Sequence, residues 1–115
     1  MKIYAIPNCN TVKKARAWLQ DQGLIYEFHD YKKQGVPTEV LQAAMRQLGW
    51  QTLLNRAGPT WRKLPEEVKA GVTDAPSALA VMQAHSSVIR RPLLEWNGWF
   101  EAGFSEARYV ELFKK

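Results

Sequence analysis

The sequence predicts an α/β fold on three observations. A short strand-like run at the N-terminus passes through an amphipathic helical segment into a second strand-like run. The middle of the chain is helical and broken by Gly and Pro, and the last third reads as a hairpin followed by a helix. The order βαβ, helices, ββα is that of a mixed sheet with helices packed on it. The chain of 115 residues shows no internal repeat, low-complexity tract or linker. The expectation is one domain over residues 1–115, with a helical insertion at about 38–85.

Taken in order, Lys2 to Ile6 is rich in β-formers and ends at Pro7-Asn8. Asn10 or Thr11 can cap a helix reaching to about Gln22, since Val12, Ala15, Trp18, Leu19 and Gln22 recur at helical spacing and Gly23 stops it. Leu24 to His29 is the second strand, with Tyr26 and Phe28 on one face, and a βαβ unit makes the two strands parallel. A polar loop, Lys32 to Gly35, precedes Pro37-Thr38 and a helix carrying Val40, Leu41, Ala44, Met45 and Leu48, closed by Gly49. Shorter pieces follow: Gln51 to Asn55, a loop at Gly58-Pro59, and a turn starting at Pro65. Asp74 then opens a helix with Leu79 and Met82 inward. Near the end, Asn97-Gly98 tolerates the positive φ angles of a type I′ hairpin turn. Ser105 caps a last helix with Tyr109, Leu112 and Phe113 on one face.

Composition narrows the function. The formal net charge is +5, but Lys13, Lys14, Arg16, Lys32, Lys33, Arg62, Lys63, Arg90, Arg91, Lys114 and Lys115 are scattered. That pattern suits small anions rather than a nucleic-acid arm. One cysteine and two histidines exclude an internal disulfide and a zinc ligand set, so no metal is expected. The start MKIYAIPN has too short an apolar run for a signal peptide, and no stretch reaches the length of a membrane span. The expectation is a soluble, cytoplasmic protein.

Cys9, the one cysteine, falls where the first helix begins. There, unpaired N–H groups and the helix dipole favour a thiolate, and Lys13 and Lys14 add positive charge one turn on. A lone cysteine also serves as a small buried hydrophobe, and position alone leaves both readings open. Val12 stands where many thiol oxidoreductases have a second cysteine, so a reactive Cys9 needs resolution by another molecule. Arg91 precedes Pro92, which holds it extended and leaves the bond between them open to the cis form. Its planar fork of donors suits oxyanions and carboxylates. Arg56 and Arg62 flank the Gly58-Pro59 turn, Trp61 beside them could line a groove, and His29 and His85 read as structural.

The segments IYAIPNCNTVKKA, LLNRAGPTWRKL and IRRPLLEWNG, in this order around the helical stretch, resemble the ArsC/Spx family, most closely its YffB-like branch. The resemblance implies a thioredoxin-like fold in which a cis proline matching Pro92 lies opposite the cysteine loop. In the family's arsenate reductases the cysteine matching Cys9 attacks arsenate and three arginines hold the oxyanion, with glutathione and glutaredoxin completing the cycle. Arg91 matches one arginine. The middle one falls at Asn55, leaving Arg56 one place later, and the third falls near Gly103-Phe104, where there is none. Charge-assisted hydrogen bonds are worth about 1.5–3 kcal/mol each, which weighs against efficient arsenate reduction. The YffB-like branch resembles glutathione-dependent thiol reductases. The implied site is therefore Cys9 as nucleophile, Asn8 and Asn10 beside the thiolate, and Arg56, Trp61, Arg91 and Pro92 about the substrate. Glutathione would be co-substrate, with no bound cofactor and glutaredoxin as a further partner. The alternatives are a glutathione/glutaredoxin-coupled arsenate reductase and an Spx-like regulator that binds RNA polymerase. Val12 argues against a redox-switched regulator.

Overall fold

The computed structural model describes residues 1–114, so Lys115, counted above among the scattered cations, lies outside them. In chain order the elements are β1 (Lys2–Ala5), α1 (Asn10–Asp21), β2 (Glu27–Asp30), α2 (Tyr31–Gln34), α3 (Thr38–Leu48), α4 (Trp50–Leu53), α5 (Pro59–Arg62), α6 (Glu66–Ala70) and α7 (Ala75–Ala84). A 3₁₀ turn (Ser86–Val88), β3 (Leu93–Trp96), β4 (Trp99–Ala102) and α8 (Glu106–Leu112) complete them. The chain divides into a sheet unit, residues 1–30 with 91 onward, and a helical unit, residues 31–90.

In the sheet unit the strands form one mixed sheet in the order β2-β1-β3-β4. β1 is parallel to β2, with Lys2 opposite Glu27 and Ala5 opposite Asp30, as a βαβ unit requires. β3 is antiparallel to both β1 and β4. The β3–β4 hairpin turns on Asn97 at φ 48° and Gly98 at φ 81°, the paired positive angles of the I′ turn. Ile3, Ala5 and Leu94 from the sheet meet Val12, Ala15 and Leu19 of α1 and Tyr109 of α8 in a fully buried cluster. Trp18, Phe104 and Phe113 all pack edge-on against Tyr109. The Ser105 hydroxyl caps α8 by accepting the Arg108 N–H at 3.1 Å.

The helical unit packs α3 against α7, with Leu41, Ala44, Met45, Ala78, Leu79 and Met82 buried. Asp74 and Ser77 form a reciprocal capping box at the start of α7. Leu54, just after α4, and Ile89, near the end of the unit, form an isolated antiparallel bridge.

Three expectations need correction. The second strand starts at Glu27, not Leu24, because β1 offers a four-residue ladder and Gly23, at φ 70°, turns the chain out of α1 first. Lys32 to Gln34 belong to the single turn of α2 rather than a loop, since the first breaker is Gly35, whose N–H closes that turn on the Tyr31 carbonyl at 3.0 Å. Asn10 and Thr11 lie inside α1, and the residue that precedes the helix as its N-cap is Cys9. Among the described residues no helix is long and apolar enough to cross a membrane.

Candidate active site

Pro7 and Asn8 turn the chain out of β1, and Cys9 follows in an extended conformation, φ −131° and ψ 127°, at the threshold of α1. Its carbonyl already accepts the Lys13 N–H at 3.0 Å, so the residue is half in the helix. This places the side chain near the first-turn N–H groups, where a Ser or Asp oxygen would ordinarily sit, although the sulfur makes no capping hydrogen bond of regular geometry. Asn8 and Asn10, on either side, are exposed, while Cys9 is partly exposed and so open to a reagent.

A second element reaches the same sulfur. The Arg91-Pro92 bond is cis, and Arg91 stands at the entry to β3 with its guanidinium at Cys9, as a charge and as a hydrogen-bond donor. Burial pushes the Cys9 thiol up, but the backbone N–H groups of Val12 and Thr11 and the Arg91 guanidinium together outweigh it, so the thiol lies below its ordinary range. Arg91 is the charged side chain in that balance; Lys13 and Lys14, expected from sequence to contribute, do not figure in it. Val12, three residues on, is fully buried in the core cluster.

Arg56 and Trp61 belong to the helical unit. Arg56 lies in the loop after α4 with its guanidinium 5.3 Å from the Trp50 ring centroid, and Trp61 lies in α5. Asn55 holds that loop, its Oδ1 accepting the Ala57 N–H at 3.2 Å. In the sheet unit His29 packs tilted against Tyr4 with ring centroids 5.1 Å apart, and in the helical unit His85 follows α7. Among the described residues no group of three or more His, Cys, Asp or Glu could hold a metal ion. The feature that sequence reading missed is the capping position of Cys9 itself, because cysteine is not a usual cap and two better ones follow it.

A four-stranded mixed sheet with a cysteine at the first helix start and a cis proline opening the third strand defines a thioredoxin-like protein. The ArsC family profile matches residues 4–112, and the chain belongs to the ArsC family. An uncharacterized protein of Haemophilus influenzae is 39% identical over 111 residues, 96% of each chain. The global transcriptional regulator Spx of Enterococcus faecalis is 23% identical over 108 residues, 92% of this chain and 80% of the relative. Among solved structures, the YFFB protein superposes with a TM-score of 0.91 at 44% identity, covering 96% of each chain. An arsenate reductase (ArsC) related protein of Brucella melitensis gives 0.75 at 49% identity, covering 99% of this chain and 94% of the other.

Proposed function

We propose that this protein is a glutathione-dependent thiol–disulfide reductase that works through the single nucleophile Cys9. The observation that carries this reading is a partly exposed thiol at the start of α1 whose pKa is lowered by backbone N–H groups and the Arg91 guanidinium. The Cys9 thiolate attacks the glutathionyl sulfur of a mixed disulfide between glutathione and a substrate thiol. The new bond joins Cys9 to glutathione, and the old disulfide breaks to release the substrate thiolate, which takes up a proton. A second glutathione, as thiolate, then attacks the glutathionyl sulfur on Cys9, giving glutathione disulfide and returning the Cys9 thiolate. With no second cysteine in the chain, this external step is obligatory. Arg91 holds the thiolate and the anionic part of the substrate, and Asn8 and Asn10 flank it. Glutaredoxin is the protein partner that can replace glutathione in the second step.

Turnover of a glutathionylated peptide by the whole protein, coupled to glutathione reductase, tests the reading. Activity lost in Cys9→Ser and absent without added glutathione supports it; wild type indistinguishable from Cys9→Ser removes it. The Spx relatives, aligned over nearly the whole chain, favour a second reading as a regulator that binds RNA polymerase. Capture of the polymerase α-subunit domain equally by wild type and Cys9→Ser would support that regulator.

A further inference from the structure

Two cations early in α1 take no part in lowering the Cys9 pKa. Lys13 and Lys14 are exposed on α1, and neither side chain has an ion-pair or hydrogen-bond partner among the described residues. The next cation, Arg16, is engaged: its Nε donates to the Tyr26 hydroxyl at 2.8 Å and its guanidinium lies 4.0 Å from the Phe28 ring centroid. No acidic residue stands in the first turn of α1 to neutralise the pair. The two lysines are not equivalent. Lys13, whose N–H donates to the Cys9 carbonyl at 3.0 Å, stands one turn above that residue, and at 3.6 residues per turn Lys14 lies about 100° further round the helix. Helical side chains lean toward the N-terminus, which brings position 13 back over the Cys9 end of the helix.

We propose that Lys13 is a specificity-determining residue, its ammonium pairing with a carboxylate carried next to the disulfide that Cys9 attacks, so that acidic disulfides are the preferred substrates. This rests on the reductase reading above. The carboxylate belongs either to the glutathionyl half or to an acidic residue flanking the cysteine of the other half; the chemistry recognised is the same.

The test begins with alkylation of Cys9 in the whole protein by iodoacetate and by iodoacetamide. Both reagents require the same thiolate, so its fraction cancels in the ratio of rates, and the ratio reads the charge met by the incoming group. Lys13→Gln should lower the iodoacetate-to-iodoacetamide ratio about two- to fivefold at low ionic strength, the size of one exposed ion pair, with the difference shrinking in high salt. Lys14→Gln removes the same net charge and should leave the ratio close to wild type. No fall in Lys13→Gln, or equal falls in both variants, overturns the proposal. Mixed disulfides with Glu or Lys beside the peptide cysteine, built with glutathione or with its carboxyl-esterified form, then separate the two sources. The Lys13-dependent preference should follow either the ester or the flanking residue, and following neither overturns it. If wild type reduces none of these disulfides, the reductase reading fails, while the alkylation ratio still decides whether Lys13 receives an anion at the sulfur.

Discussion

At the scale of single residues, Cys9 shows how a thiol pKa is lowered without a neighbouring base. Backbone dipoles and one guanidinium favour the anion, and partial burial opposes them. Arg91→Gln should therefore move the inflection of Cys9 alkylation against pH upward, but short of a free thiol, because the Val12 and Thr11 donors remain. An unmoved inflection would remove Arg91 from the site. The same shift links to stability. Between the lowered folded-state value and the free-thiol value of about 8.5, the folded protein binds fewer protons than the unfolded one. Stability thus rises with pH through that window, is fully present above it, and is lost as pH falls through the folded value. Urea midpoints of wild type and Cys9→Ser should diverge across the window, in favour of wild type toward alkaline pH. Tyr109 is the opposite case. Its hydroxyl is fully buried with no hydrogen-bond partner among the described residues, and burial, with Glu101 nearby, drives its pKa far above the ordinary phenol. A buried unsatisfied hydroxyl costs about 1–3 kcal/mol, so Tyr109→Phe should raise stability by about 1 kcal/mol. A loss of that size in urea unfolding would show that the hydroxyl has found a partner.

Among the elements, α8 depends on its ends more than on its length, seven residues being too few to be stable alone. Ser105→Ala removes the cap and should cost about 1 kcal/mol, with faster amide exchange at Arg108 and Tyr109 as the local signature. A global loss without that local change would place the effect elsewhere. The Ser105 and Asp74 caps and the Asn97-Gly98 turn were legible in the sequence because their chemistry is local. The limits of β2 were not, since a strand ends where its partner does, and β1 supplies four residues. The turn of α2 was hidden because Lys32, Lys33 and Gln34 suit a loop and a helix equally well, and only the Gly35 closure decides. Nor could spacing reveal that Arg91 meets Cys9, residues far apart in the chain. The family resemblance implied that Pro92 lies opposite the cysteine loop, and the register of β1 with β3 accounts for the juxtaposition.

For the molecule as a whole, the fold does not choose the substrate; the side chains around the sulfur do. An arsenate oxyanion needs several charged forks at once, whereas a disulfide sulfur carries no charge to be neutralised. In the sheet unit, Arg91 is the charged side chain acting on Cys9. At the place where the resemblance puts a third arginine, Phe104 is packed edge-on against Tyr109 with ring centroids 4.7 Å apart. Asn55, at the middle position, is spent on holding its own loop. Each missing fork, at about 1.5–3 kcal/mol, lowers oxyanion turnover on the order of ten- to a hundredfold. Arsenate should therefore neither slow the alkylation of Cys9 by iodoacetamide nor drive oxidation of glutathione above background with glutaredoxin present, under conditions where a glutathione mixed disulfide is reduced. Arsenate turnover at a rate matching the mixed disulfide would mean that cations outside this inventory gather at the sulfur when the oxyanion binds.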